Sequence, residues 1–166
     1  MWKDIERYFK SSPKRREVAS LFLMLGLSVR DDGRVYCLDI EVPHTKIADT
    51  LGIDRRVIRE TITDILEDSH LRGVFSALQP RAFMRDAAGA LGWGVIEVEA
   101  SSESVGIVAN VATIIAAENI SIRQVVADDP LLYPAPKLTI VTEQKIPSHL
   151  LEDILRVPGV RKVSIY

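Results

Sequence analysis

Along residues 94–166 the apolar positions change period in a set order. Val95, Glu97 and Glu99 interleave with Ile96, Val98 and Ala100, the period of two that suits a β-strand with a covered face. The period then lengthens: Ile107, Val108, Val111, Ile114 and Ile115 recur at spacings of three and four, the stripe of an amphipathic helix. Asn119 follows where a left-handed residue commonly ends a helix. Residues 120–127 and 137–143 return to a strand pattern rich in Ile and Val. Pro130, Pro134 and Pro136 forbid regular pairing across residues 128–136, which predicts a long hairpin loop. A second helix starts near Pro147 and Ser148 and turns Leu150, Leu151, Ile154 and Leu155 inward. The run Val157, Pro158, Gly159, Val160 ends it and leads into a last strand over 160–166. Each helix has one apolar stripe to bury, so both must lie on one face of a four-stranded sheet, the ferredoxin-like βαββαβ arrangement.

The first half alternates less regularly. Residues 2–9 form a short amphipathic stretch. Ser12 then caps a helix with Pro13 at its first position, and Val18, Leu21, Phe22 and Leu25 line that helix up to Gly26. Asp32 and Gly33 signal a turn, residues 34–42 read as a strand, and residues 73–78 read as its partner. Between them, residues 43–62 resemble the helix-turn-helix family. Ala48 supplies the small residue where two helices touch, Gly52 the tight turn, and Ile47, Leu51, Ile53 and Ile58 the apolar joint. Asp54 caps the second helix, Ile58, Ile62 and Ile65 face inward, and Arg55, Arg56, Arg59 and Thr63 face outward. The whole is an α+β chain: a winged-helix-like helix-turn-helix domain over 1–79, a linker over 80–93 and a βαββαβ domain over 94–166.

Three segments of the second half look like signatures of the ACT domain family. They are Glu103, Ser104, Val105 and Gly106 opening a helix; residues 117–122 leaving it; and residues 157–163 before the last strand. The family usually places Asp and Pro in the turn before the glycine, where this chain has Glu103 and Val105. The resemblance implies a ligand-sensing domain that pairs with further copies of itself. It also implies an amino acid held by Ser101, Glu103, Ser104, Val105 and Gly106 together with Ser121 at the start of the second strand, usually across a dimer interface. Backbone N–H groups at a helix entrance suit a carboxylate, and Glu103 would face the ammonium.

Composition narrows the alternatives. The net charge of -2 argues against nonspecific coating of nucleic acid. Residues 1–92 carry 15 Lys and Arg against 14 Asp and Glu, and residues 93–166 carry 6 against 9, so the balances are +1 and -3. Any contact with double-stranded DNA therefore belongs to the first half, through Arg55, Arg56, Arg59 and Thr63. Cys37 stands alone and reads as a packed strand residue. His44, His70 and His149 lie far apart, without metal-ligand spacing. No phosphate loop, dinucleotide fingerprint or nucleophile elbow occurs, so neither cofactor, metal nor catalysis is expected. With no apolar run near ~20 residues, a cytoplasmic protein is expected. The chain is similar to archaeal regulators of amino-acid metabolism that join an N-terminal helix-turn-helix to a C-terminal ACT domain. That likeness implies a homodimeric or higher-order, amino-acid-responsive transcriptional regulator. The alternative is a regulatory subunit that docks on a biosynthetic enzyme through Leu131, Leu132 and Tyr133 without touching DNA.

Overall fold

The computed structural model describes residues 2–101 and 104–166. Residues 1–82 and 83–166 form two compact units.

The first unit is helical around a small sheet. Helix α1 (Trp2–Glu6) runs into a 3-10 turn, and α2 (Pro13–Leu25) follows, capped by the Ser12 side chain, which accepts from Arg15 N at 3.4 Å. Strands β1 (Ser28–Val29), β2 (Val35–Cys37) and β3 (Ile40–Val42) form an antiparallel sheet in that order. The continuous strand expected over 34–42 is instead a hairpin. Cys37 pairs with Ile40, which leaves a two-residue loop, and Leu38 takes a left-handed φ of 56° there. Helices α3 (His44–Leu51) and α4 (Arg55–Glu67) come next, joined at Gly52 with φ 63°. The last element, α5 (Ser69–Ser76), replaces the strand expected over 73–78. Asp68 caps α5 by accepting from the N–H of His70 and Leu71, both at 2.9 Å, and Leu71 and Phe75, four apart, are its buried stripe. Phe75 meets Phe22 edge to face at 6.4 Å between ring centroids.

The second unit is built on strands β4 (Gly94–Ala100), β5 (Ile122–Ala127), β6 (Leu138–Thr142) and β7 (Val160–Ile165), with α6 (Ile107–Ala117) after β4 and α7 (Leu150–Leu155) after β6. The sheet order is β5-β6-β4-β7, every neighbour antiparallel. This is the split βαβ topology. Ile96, Val98, Leu138 and Ile140 bury one sheet face against Ile107, Val111, Ile115, Leu150 and Ile154 of the helices. Leu155, expected inward, is 47% exposed, because the six-residue α7 completes fewer than two turns and Leu150 and Ile154 already occupy its inner face. Asn119 has the expected left-handed φ, 57°.

The opposite face of the sheet is covered by residues 83–93, a segment expected as linker. Ala88 is fully buried against Val95 and Val141, with Met84 and Trp93 packed beside them. The Met84 N–H donates to Gln124 Oε1 at 2.9 Å. No helix among the described residues is long and apolar enough to cross a membrane.

Candidate functional site

Helix α4 presents the residues expected to meet DNA. Asp54 Oδ1 accepts from Arg56 N at 2.6 Å and so fixes where the helix begins. Ile58, Ile62 and Ile65 are 0%, 3% and 0% exposed, which sets the rotation of the helix and turns Arg55, Arg56, Arg59 and Thr63 to solvent. Two acids share this region, and both are already engaged. Arg15, from α2, donates to Glu60 Oε2 at 2.7 Å and to Asp64 Oδ2 at 2.8 Å, while Arg56 donates to Glu60 Oε1 at 2.8 Å. Hydrogen bonds from Arg15 and Arg56 hold the Glu60 carboxyl below its ordinary range, and the bonds to Glu60 and Asp64 hold the Arg15 guanidinium above its own. These four side chains balance one another in charge. Arg55 and Arg59 remain, with no hydrogen bond or ion pair from their side chains among the described residues. Thr63 Oγ1 donates back to Arg59 O at 3.0 Å. Arg15, Arg56, Arg59, Glu60, Thr63 and Asp64 line an open groove between α2 and α4. His44, half-buried at the start of α3, has its proton affinity lowered by burial and by the nearby Arg59 and Arg55.

The second expected site is less concentrated. Ser101 N donates to Gly159 O at 2.9 Å and Ser104 N to Ser101 O at 3.0 Å, so the start of the loop folds onto the turn before β7. Gly159, at φ 90°, makes that approach possible: a Cβ there would fall 2.0 Å from Ser104 Oγ. Gly106 caps α6 with φ 84°, and no side chain caps the helix at that end. Val105 is 94% exposed. Glu103 lies outside the described residues. Ser121 follows α6 rather than preceding it, and the 11-residue helix separates it from the loop by roughly 16 Å at 1.5 Å per residue. Within one chain Ser121 is therefore not brought to Ser101, Ser104, Val105 and Gly106. It is exposed, and its carbonyl accepts from Glu143 N at 2.9 Å.

Two features escaped the sequence reading. The first is Glu97, in the middle of β4 and only 6% exposed. Its carboxylate accepts from Arg85 Nε at 2.8 Å, Lys137 Nζ at 2.7 Å and the Tyr166 hydroxyl at 3.3 Å. Burial pushes its proton affinity up, but the bonds from Lys137 and Arg85 outweigh that and hold it below the ordinary carboxylate range. The Arg85 guanidinium also lies 4.8 Å from the Tyr166 ring centroid. The second is a cavity of about 170 Å³ at the end of the sheet where β4 leaves it. Ala100 and Ser101, both flanking the loop already considered, help to line it. Among the described residues no group of three or more His, Cys, Asp or Glu side chains is placed to hold a metal ion.

No family model and no curated protein matches the chain. Among solved structures it is similar to a transcriptional regulatory protein of the AsnC family from Pyrococcus furiosus, at 12% identity over 93% of this chain and 87% of that one, TM-score 0.28. It is also similar to an AsnC family transcriptional regulator from Agrobacterium tumefaciens, at 12% identity over 93% of this chain and 88% of that one, TM-score 0.28. With scores this low neither likeness bears on function, which rests on the chain's own residues.

Proposed function

We propose that the chain is an amino-acid-responsive transcriptional regulator of amino-acid metabolism, with α4 as its DNA-reading helix and residues 94–166 as an ACT-type sensing domain. The observation that carries the proposal is the arginine face of α4. The acids beside it are neutralised from within by Arg15 and Arg56, which leaves Arg55 and Arg59 exposed in the first two turns with their charges uncommitted. The N-terminal residues of a helix are the ones that reach base edges and phosphates when it enters the major groove.

The sensing half is supported by the βαββαβ order and by Gly106, whose left-handed backbone opens an uncapped helix where a carboxylate can approach N–H groups. Ser121 sits at the far end of α6, so it joins the loop only if a second copy supplies it, which makes the regulator a homo-oligomer. A bound amino acid then changes DNA affinity by no more than its preference for one arrangement of the oligomer over another. Docking on an enzyme is the weaker reading: of Leu131, Leu132 and Tyr133 only Leu131 is exposed, at 53%.

The test is a fluorescence anisotropy titration against DNA from upstream of the chain's own coding region, at two salt concentrations. A bidentate base contact is worth ~1 to 3 kcal/mol, so Arg55→Ala with Arg59→Ala should weaken binding more than tenfold. The double variant should also flatten the salt dependence, because fewer counterions are released. A wild type that binds no DNA, with or without each proteinogenic amino acid, would overturn the DNA reading.

A further inference from the structure

Arg15 reaches α4 because of where it stands on α2. It precedes Val18, Ala19 and Phe22, all 0% exposed, by three, four and seven residues, so it extends the buried stripe of that helix toward α4. Pro13 and the Ser12 cap on Arg15 N fix the first turn that carries it. Its guanidinium spans both acids of the groove, with Glu60 Oε2 at 2.7 Å and Asp64 Oδ2 at 2.8 Å. Glu60 and Asp64 are one helical turn apart, so a single planar cation engages two carboxylates.

Exposure ranks the bonds in this cluster. Arg15 keeps 32% of its side-chain surface and the two acids 34% each, whereas Arg56, the other donor to Glu60, keeps 77%. An exposed i,i+4 pair holds its partner weakly, while sheltered charge-assisted bonds hold firmly. Arg56 is therefore free to leave for a phosphate while Arg15 retains Glu60. Arg59 lines the same groove as both acids and bonds to neither. Without Arg15, two carboxylates would face two arginines there, Arg56 and Arg59. A guanidinium held by a carboxylate cannot also place two N–H groups on guanine O6 and N7, the commonest specific contact of an arginine in the major groove.

We infer that Arg15 is a positioning residue for DNA reading: it engages Glu60 and Asp64 so that Arg59 stays free to read guanine. The inference rests on the DNA-reading role of α4 proposed above, and adds to it a base and the residue that secures its reader. Arg15 acts through the two acids and needs no contact with DNA.

The test starts from a duplex selected out of a random pool by the full chain. Its affinity is then measured by fluorescence anisotropy in two forms, with guanine and with 7-deazaguanine, which lacks N7. The wild type should bind the deaza form about tenfold more weakly. Arg15→Ala should bind the guanine form about fivefold more weakly than the wild type and discriminate between the forms no better than Arg59→Ala. Because both act through one side chain, adding Arg15→Ala to Arg59→Ala should cost no more than about twofold further. Arg15→Ala combined with Glu60→Ala and Asp64→Ala should recover affinity and discrimination, which a loss of α2–α4 packing would not allow. Arg16→Ala deletes the same charge one residue on, where the partner is Glu6, and should stay within about twofold of the wild type. If Arg15→Ala binds and discriminates like the wild type, or if removing the acids recovers nothing, the role of Arg15 is overturned and the DNA reading stands. A wild type indifferent to 7-deazaguanine overturns the guanine assignment and leaves DNA reading intact. If the wild type selects no duplex, both fall. Should Arg15→Ala fail to fold, Arg15→Gln, which keeps much of the side chain and removes its charge, takes its place in each comparison.

Discussion

Replacing Glu97 by Gln should destabilise the second unit measurably, because it removes the one charge that two cations share while keeping the shape of the side chain. The carboxylate is 6% exposed, and Arg85 and Lys137 keep 32% and 31% of their side-chain surface. Breaking a fully buried ion pair by deleting one partner costs ~3 to 5 kcal/mol. Here the cations still reach water, and that screening reduces the expected loss to about 1 to 3 kcal/mol. For a unit of this size each kcal/mol lowers the melting temperature by about 4 to 8 °C. The assay is thermal melting followed by Trp93 fluorescence in a Trp2→Phe background. Trp93 lies beside Ala88, Val95 and Val141 on the face that Glu97 helps to hold. If Glu97→Gln melts within about 1 °C of its parent, the three donors to Glu97 contribute nothing net, and apolar packing with the Met84–Gln124 hydrogen bond suffices to hold residues 83–93.

The same carboxylate sets a pH dependence. Its folded-state proton affinity is lowered, so its contribution is fully present above the ordinary carboxylate value and is lost as pH falls through the folded one. The Trp93 melting temperature of the parent should therefore fall more steeply with acid below about pH 4.5 than that of Glu97→Gln. Gly26→Ala and Gly52→Ala separate backbone strain from collision. Both glycines are left-handed, at φ +64° and +63°, but a Cβ at Gly26 would lie 2.7 Å from the Gln79 and Pro80 backbone, whereas Gly52 has nothing within 4 Å. Gly52→Ala should cost ~1 kcal/mol and Gly26→Ala a further ~1 to 3 kcal/mol by urea unfolding, and equal losses would refute the distinction.

What the sequence displayed depended on whether the cause of a structure was local. The helices α2, α4 and α6 were legible because spacing and caps are short-range: Ser12 with Pro13, Asp54, and the buried sets Ile58, Ile62, Ile65 and Ile107, Val111, Ile115. The hairpin in 34–42 was not, because its loop is Leu38 and Asp39 with no glycine, and Leu38 is held left-handed by the pairing on either side. Residues 73–78 have the β-branched and aromatic content of a strand. Asp68 caps a helix there, and Leu71 and Phe75 at a spacing of four pack it, which outweighs that weak propensity.

The candidate sites divide in the same way. The outward direction of Arg55 and Arg59 follows from helix geometry once the inward isoleucines are known, but that they stay unpaired depends on Arg15, some 45 residues away in sequence from Glu60. Nothing local marks Glu97 as buried, since an alternating strand makes its polar positions look solvent-facing. It is covered because residues 83–93 return over that face, and its charge is tolerated because Arg85 and Lys137, 12 and 40 residues distant, arrive at the same carboxylate. The cavity has the same origin. Val98, Ile107 and Leu138 each read as ordinary core, and the space beside them is bounded by Pro130 and Pro136 of the β5–β6 hairpin, which come from a separate stretch of the chain. A void is a property of what several distant segments fail to fill, so no single stretch of sequence contains its signal.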